Sequence, residues 1–143
     1  RRRQKVRKSE LNQEIGRQEG FTLVELVIVM AVLVVLAAIA IPRYNGVLNE
    51  SKVKSDGVTA AGIVSAARIQ ETSSGNPVQG MEGIDEDYFE PGKEPTSGGE
   101  FALSGGGNDP YEVKWTPTVG KYSGIEQSLT EGTMFELAEP AAT

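Results

Sequence analysis

The chain has 143 residues, 24% of them charged, and a formal net charge of −6. It contains no cysteine and no histidine. That removes disulfides, thiolate chemistry, the commonest general base and the commonest metal ligand, and lowers the prior for hydrolytic or metal catalysis. The charge is also polarised: +4 over residues 1–20, +1 over 21–70 and −11 over 71–143. The acidic C-terminal part argues against non-specific nucleic-acid binding, which needs phosphate neutralisation, and keeps a surface domain soluble.

Residues 1–19 are polar and charged, with Val6, Leu11 and Ile15 the apolar exceptions. Lys and Arg beside a membrane span stay on the cytoplasmic side, so this stretch reads as a cytoplasmic leader rather than a mere basic tail. Residues 21–41 read FTLVELVIVMAVLVVLAAIAI, with Thr22 and Glu25 the only polar residues. A helix of that length covers ~30 Å, the thickness of a bilayer's hydrocarbon core. A secretory signal peptide places a shorter apolar core before its small-residue cleavage site. Ala37, Ala38 and Ala40 could mimic such a site, but here the small residue Gly20 precedes the apolar run. A lone carboxylate in such a segment costs ~2.5–3.5 kcal/mol at a helix centre and less toward its end, so Glu25 is a functional candidate by default.

Pro42 lies inside an otherwise helical stretch and predicts a kink or a locally loosened helix, helped by Gly46. Residues 43–70 carry two weakly apolar stripes. One is Val47, Val58, Ala61, Gly62, Ser65 and Ile69; the other is Ala60, Ile63, Val64 and Ala67. Two stripes predict a helix with one face on its own domain and another on a neighbour. The breaker Thr72-Ser73-Ser74-Gly75-Asn76-Pro77 ends it. Phe21 to Gln70 is then a helix of ~75 Å.

Residues 78–110 are rich in Gly, Pro and acids and read as a loop, with Gly98-Gly99 and Gly105-Gly106-Gly107 as flexible joints. Short alternating runs follow. Tyr111, Val113 and Trp115 point one way, and Glu112, Lys114 and Thr116 the other. Val119 to Tyr122 reads as a second strand, and Ile125, Gln127 and Leu129 as a third. Thr130-Glu131-Gly132 reads as a hairpin loop into Thr133–Leu137. The prediction is an α+β fold, a small antiparallel sheet laid on the second half of a long N-terminal helix. Residues 71–143 have too few large apolar residues to build a core without that helix.

Gly20-Phe21-Thr22-Leu23-Val24-Glu25-Leu26, the apolar run and Pro42 together resemble the N-terminus of type IV prepilins and type II secretion pseudopilins. The resemblance covers roughly residues 16–70. It implies four parts: a leader, 1–20, removed by prepilin peptidase; a hydrophobic helix, 21–42, that spans the membrane and forms the filament core; an amphipathic helix half, 43–70; and an acidic head, 71–143. It implies cleavage between Gly20 and Phe21, with Gly20 fitting a narrow peptidase site, and methylation of the new amino group on Phe21. It implies that Glu25 pairs with the Phe21 amine of a neighbouring subunit, and that Pro42 marks a segment able to melt in the filament. Tyr44 stands where many family members carry an aromatic. The implied partners are a homo-oligomeric helical filament, the peptidase, the assembly machinery and the membrane. No cofactor, metal or small-molecule substrate is expected. The subunit is expected in the cytoplasmic membrane with its head outside, then in a surface pilus for adhesion, motility or DNA uptake.

Three alternatives remain at this point. One is a pseudopilin of a secretion system, with Asn108-Asp109-Pro110-Tyr111 resembling the Asp-Pro-Trp-Gly stretch of major pseudopilins. The second is a signal-anchored binding domain in which Glu25 is incidental. The third is an enzyme or calcium protein built on Glu82, Asp85, Asp87 and Glu90, whose spacing matches no EF-hand loop. A solvated acidic loop is the plainer reading of that cluster. Asn49-Glu50-Ser51 fits a glycosylation sequon by chance on a helix.

Overall fold

The computed structural model describes residues 20–90 and 94–142. Of the expected leader, residues 1–20, all but Gly20 lie outside the described residues. The chain divides into two compact units, Arg1–Ala40 and Ile41–Thr143. One helix, α1 (Leu23–Ser74), contributes residues to both and continues through Pro42.

In the first unit, α1 carries the apolar run. Every Val, Leu, Ile and Met from Leu23 to Ile39 is more than half exposed. The segment is long and apolar enough to cross a membrane.

In the second unit, α1 is amphipathic. Val53, Asp56, Gly57, Ala60, Ile63, Val64, Ala66 and Ala67 are buried, a spacing of three and four that keeps one face inward. Val47, Val58 and Ile69 are exposed at 69%, 75% and 57%. The two sequence stripes are therefore two different faces, one in the core and one outside it. The helix closes at Gly75, whose N–H donates to the Glu71 carbonyl at 2.7 Å.

A three-stranded antiparallel sheet covers the inward face, in the order β1 (Ala102–Gly106), β2 (Asp109–Trp115), β3 (Gln127–Thr130). Leu103 pairs with Val113 and Val113 with Leu129, so one row of side chains enters the core from all three strands. Tyr111, Val113 and Trp115 are buried as their alternation predicts.

Three segments differ from the sequence expectation. Ala102–Gly106 is a strand, not part of a flexible stretch. Gly105 and Gly106 have φ of 97° and 102°, which side-chain-bearing residues rarely adopt. A Cβ at Gly105 would strike the Pro110 backbone and one at Gly106 the Tyr111 ring. The glycines thus shape a bulged turn between two strands. Val119–Tyr122 is not a strand; Gly120–Tyr122 forms a 3-10 turn that drives Tyr122 fully into the core. Thr133–Leu137 opens on a bend and forms no strand. The buried Gln127 amide takes the place of a strand backbone there. Its oxygen accepts the Ala138 N–H at 2.9 Å and its nitrogen donates to the Ala138 carbonyl at 3.1 Å.

Candidate functional site

The junction residues Phe21, Thr22 and Glu25 come together at the start of α1. The Thr22 backbone N–H donates to the Glu25 carboxylate at 2.8 Å, and the Glu25 N–H donates to the Thr22 hydroxyl at 3.2 Å. This reciprocal pair is a capping box, satisfying two donors that a helix start otherwise leaves unpaired. The spacing Thr-x-x-Glu carries the signal for it in the sequence, where Thr22 otherwise reads only as a polar residue of the apolar run. Phe21 is 93% exposed, and no atom lies within 4 Å of where a Gly20 side chain would begin. The junction is an exposed, non-helical entry to α1. Pro42 stands in the other unit.

Within the head, two polar clusters fasten loops to α1. Asp56 is 1% exposed. One carboxylate oxygen accepts the Thr96 N–H at 2.7 Å and the Thr96 hydroxyl at 2.8 Å; the other accepts the Ser97 N–H at 2.9 Å and also its hydroxyl. Four donors on one buried carboxylate meet the requirement that a buried charge be fully hydrogen-bonded. Arg68 forms the second cluster. Its Nε and Nη2 donate to the two oxygens of Glu131 at 2.8 and 2.7 Å, and its Nη1 donates to Glu71 at 3.0 Å. Glu131 also accepts the Tyr111 N–H at 3.1 Å. The hydrogen bonds from Arg68 hold the Glu131 carboxyl below its ordinary value, against the opposing effect of partial burial. These residues join the helix, the β1–β2 turn and the segment after β3, and none of them forms a nucleophile–base pair.

Among the described residues, no three His, Cys, Asp or Glu side chains are placed to hold a metal ion. Of the acidic loop, Asp85 is engaged locally: its carboxylate accepts the Asp87 N–H at 3.1 Å, and its own N–H donates to Gln70 at 2.8 Å. Asn108 to Tyr111 form the turn into β2 and its first residues.

Comparison with known proteins matches residues 15–41 to the prokaryotic N-terminal methylation motif. The chain is 33% identical over 122 residues to a fimbrial protein of Dichelobacter nodosus, an alignment covering 80% of this chain and 68% of that protein. It is 32% identical over 88 residues to the type IV narrow pilus major component PilA5 of Thermus thermophilus, covering 62% and 72%. It is 44% identical over 72 residues to the type IV major fimbrial protein FimA of Dichelobacter nodosus, covering 46% and 44%. The chain thus spans less than half the length of FimA. No solved structure matches it.

Proposed function

Because this chain belongs to the type IV pilin family, we propose that it is the structural subunit of a bacterial surface filament, assembled through the apolar half of α1. The observation that carries this reading is the junction itself: an exposed Gly20–Phe21 peptide, then a capped helix start holding Glu25, then an apolar surface that is more than half exposed among the described residues. Burying one such side chain is worth about 1.5–3 kcal/mol. An apolar helix surface this continuous needs lipid or other helices around it.

On this reading, a prepilin peptidase cuts between Gly20 and Phe21 and methylates the Phe21 amine. Before cleavage, Phe21 has only an amide to offer. After it, Phe21 carries a cation, and Glu25 of an adjacent subunit can pair with it. A carboxylate moved from water into an apolar bundle needs such a partner. The capping box keeps Glu25 hydrogen-bonded until that partner arrives. Before assembly the subunit sits in the cytoplasmic membrane with the acidic head outside. In the filament it serves adhesion, motility or DNA uptake. The relatives are named for fimbriae and pili, which favours a pilin over a pseudopilin.

Electron microscopy of cells with and without the gene, using an antibody to the head, tests the reading. Labelled surface filaments that vanish on deletion are expected. Filaments that persist unlabelled, together with a secretion defect, would overturn it in favour of a pseudopilin.

A further inference from the structure

We propose that the outward face of α1 in the head is a contact between successive copies of this chain, in which Tyr44 and Val47 of one copy enter a groove on the next. The groove, about 360 Å³ in volume, lies between the α1 residues Ala61, Ser65 and Ile69 and the segment after β3 around Gly132 and Thr133. Two charged residues also line it, Arg68 and Glu131. They neutralise each other through two hydrogen bonds. The lining is therefore apolar or internally compensated, and it suits an uncharged occupant.

Charge selects a second copy of the chain as that occupant. Residues 71–143 carry −11, whereas residues 41–70 carry four basic and two acidic residues. Two heads that approach through their sheet-and-loop sides repel each other. The α1 face is the part of the head that can meet another head without that repulsion. Among exposed large apolar residues of the head, Tyr88 sits in the acidic loop, Ile69 lines the groove, Val58 lies on α1 outside its lining, and Met134 follows the lining residue Thr133. Ile41, Tyr44, Val47 and Leu48 remain, 60%, 67%, 69% and 38% exposed, and of these Tyr44 and Val47 stand out furthest. Tyr44 and Val47 are three residues apart and so share a helix face. They lie roughly 30 Å along the helix from the groove. Knob and groove are thus different patches at separate levels of one head. A contact between different patches is heterologous, and repeated without closure it extends into a filament. The inference rests on the filament reading above and specifies which surfaces meet.

The chain has no cysteine of its own, so a cross-linking test is clean. Val47→Cys and Ser65→Cys are introduced together, and filaments are isolated under mild oxidation. A disulfide forms only if the two Cα atoms approach within about 7 Å. A ladder of dimers, trimers and higher multimers is expected from the double variant, with monomer alone from each single variant. Dimers from Ser65→Cys alone indicate a symmetric contact and overturn the proposal. If the double variant does not assemble, the two single variants are co-expressed with the wild-type chain. A 47–65 heterodimer supports the proposal, and its absence from intact filaments overturns it. Filaments that contain the chain but give no ladder reject this contact alone. Cells whose filaments lack the wild-type chain reject the filament reading and this contact with it.

Discussion

Thr22 and Glu25 close the start of α1 against each other: the Thr22 N–H donates to the Glu25 carboxylate at 2.8 Å while the Glu25 N–H donates to the Thr22 hydroxyl at 3.2 Å. The carboxylate that looks misplaced in an apolar run thus has a local role, and this separates two contributions that a single substitution would confuse. Losing a helix cap costs about 1 kcal/mol, too little to unfold a helix of 52 residues. Gln at the same position still serves a capping box but carries no charge. Glu25→Gln and Glu25→Ala should therefore both insert in the membrane and both be lost from sheared filaments. Quantitative immunoblots of membrane and filament fractions check this. Normal filament yield from Glu25→Gln would show that the charge is not what assembly uses.

A bulky residue at position 20 should block processing. Among the described residues nothing lies within 4 Å of a side chain at Gly20, so Gly20→Phe should leave the described fold unchanged and a defect should belong to the peptidase step. The immunoblot should show precursor-length chain in the membrane. Mature-length chain from this variant would contradict the assigned cleavage position.

The buried Asp56 predicts a large stability effect. Asp56→Ala leaves the N–H groups of Thr96 and Ser97 without their acceptor. Unsatisfied buried donors cost ~1–3 kcal/mol each, so the loss should be about 3 kcal/mol. For a head of this size that lowers the melting temperature by roughly 10 °C or more. Thermal unfolding of the detergent-solubilised chain measures it.

Gly57 receives the Phe135 ring so closely that any Cβ there would collide with it. Phe135 in turn stacks at 5.4 Å from Trp115, the single tryptophan of the chain. Gly57→Leu should push the C-terminal segment off the helix, at a cost of about 1–3 kcal/mol for the overpacked site. Increased quenching of Trp115 fluorescence by acrylamide reports the displacement. Unchanged quenching would mean that the ring finds another seat.

Acid should loosen the junction between α1, the β1–β2 turn and the segment after β3. Arg68 lowers the Glu131 carboxyl from its ordinary value of 4.5. A carboxyl depressed by folding adds stability above its unfolded value, and that stability is lost as pH falls through the folded value. Glu131→Gln should lower the melting temperature at neutral pH and flatten its decline below pH 4.5. Parallel melting curves for variant and parent across this range would rule out the linkage.

Much of this architecture is legible in the residues. The alternation of Tyr111, Val113 and Trp115 marks β2, and the Ala60, Ile63, Val64 and Ala67 stripe marks the inward face of α1, because burial repeats with the period of the element. Where side chains substitute for backbone, periodicity is silent. Thr133–Leu137 alternates like a strand, but its neighbour is held by the Gln127 amide. Gly105 and Gly106 resemble a loose joint, yet their missing side chains are what let β1 approach Pro110 and Tyr111. The Asp56 and Arg68 clusters join residues about 40 and 63 positions apart, and no local pattern announces such a pairing. The Thr22–Glu25 box was within reach, since it depends on a spacing of three.

Mass spectrometry of the subunit from filaments sheared off the cell surface tests the central claim most directly. The account predicts an N-terminal peptide that begins at Phe21 and carries one methyl group on its amine. A filament subunit that retains Gly20, or filaments that do not contain this chain, would contradict it.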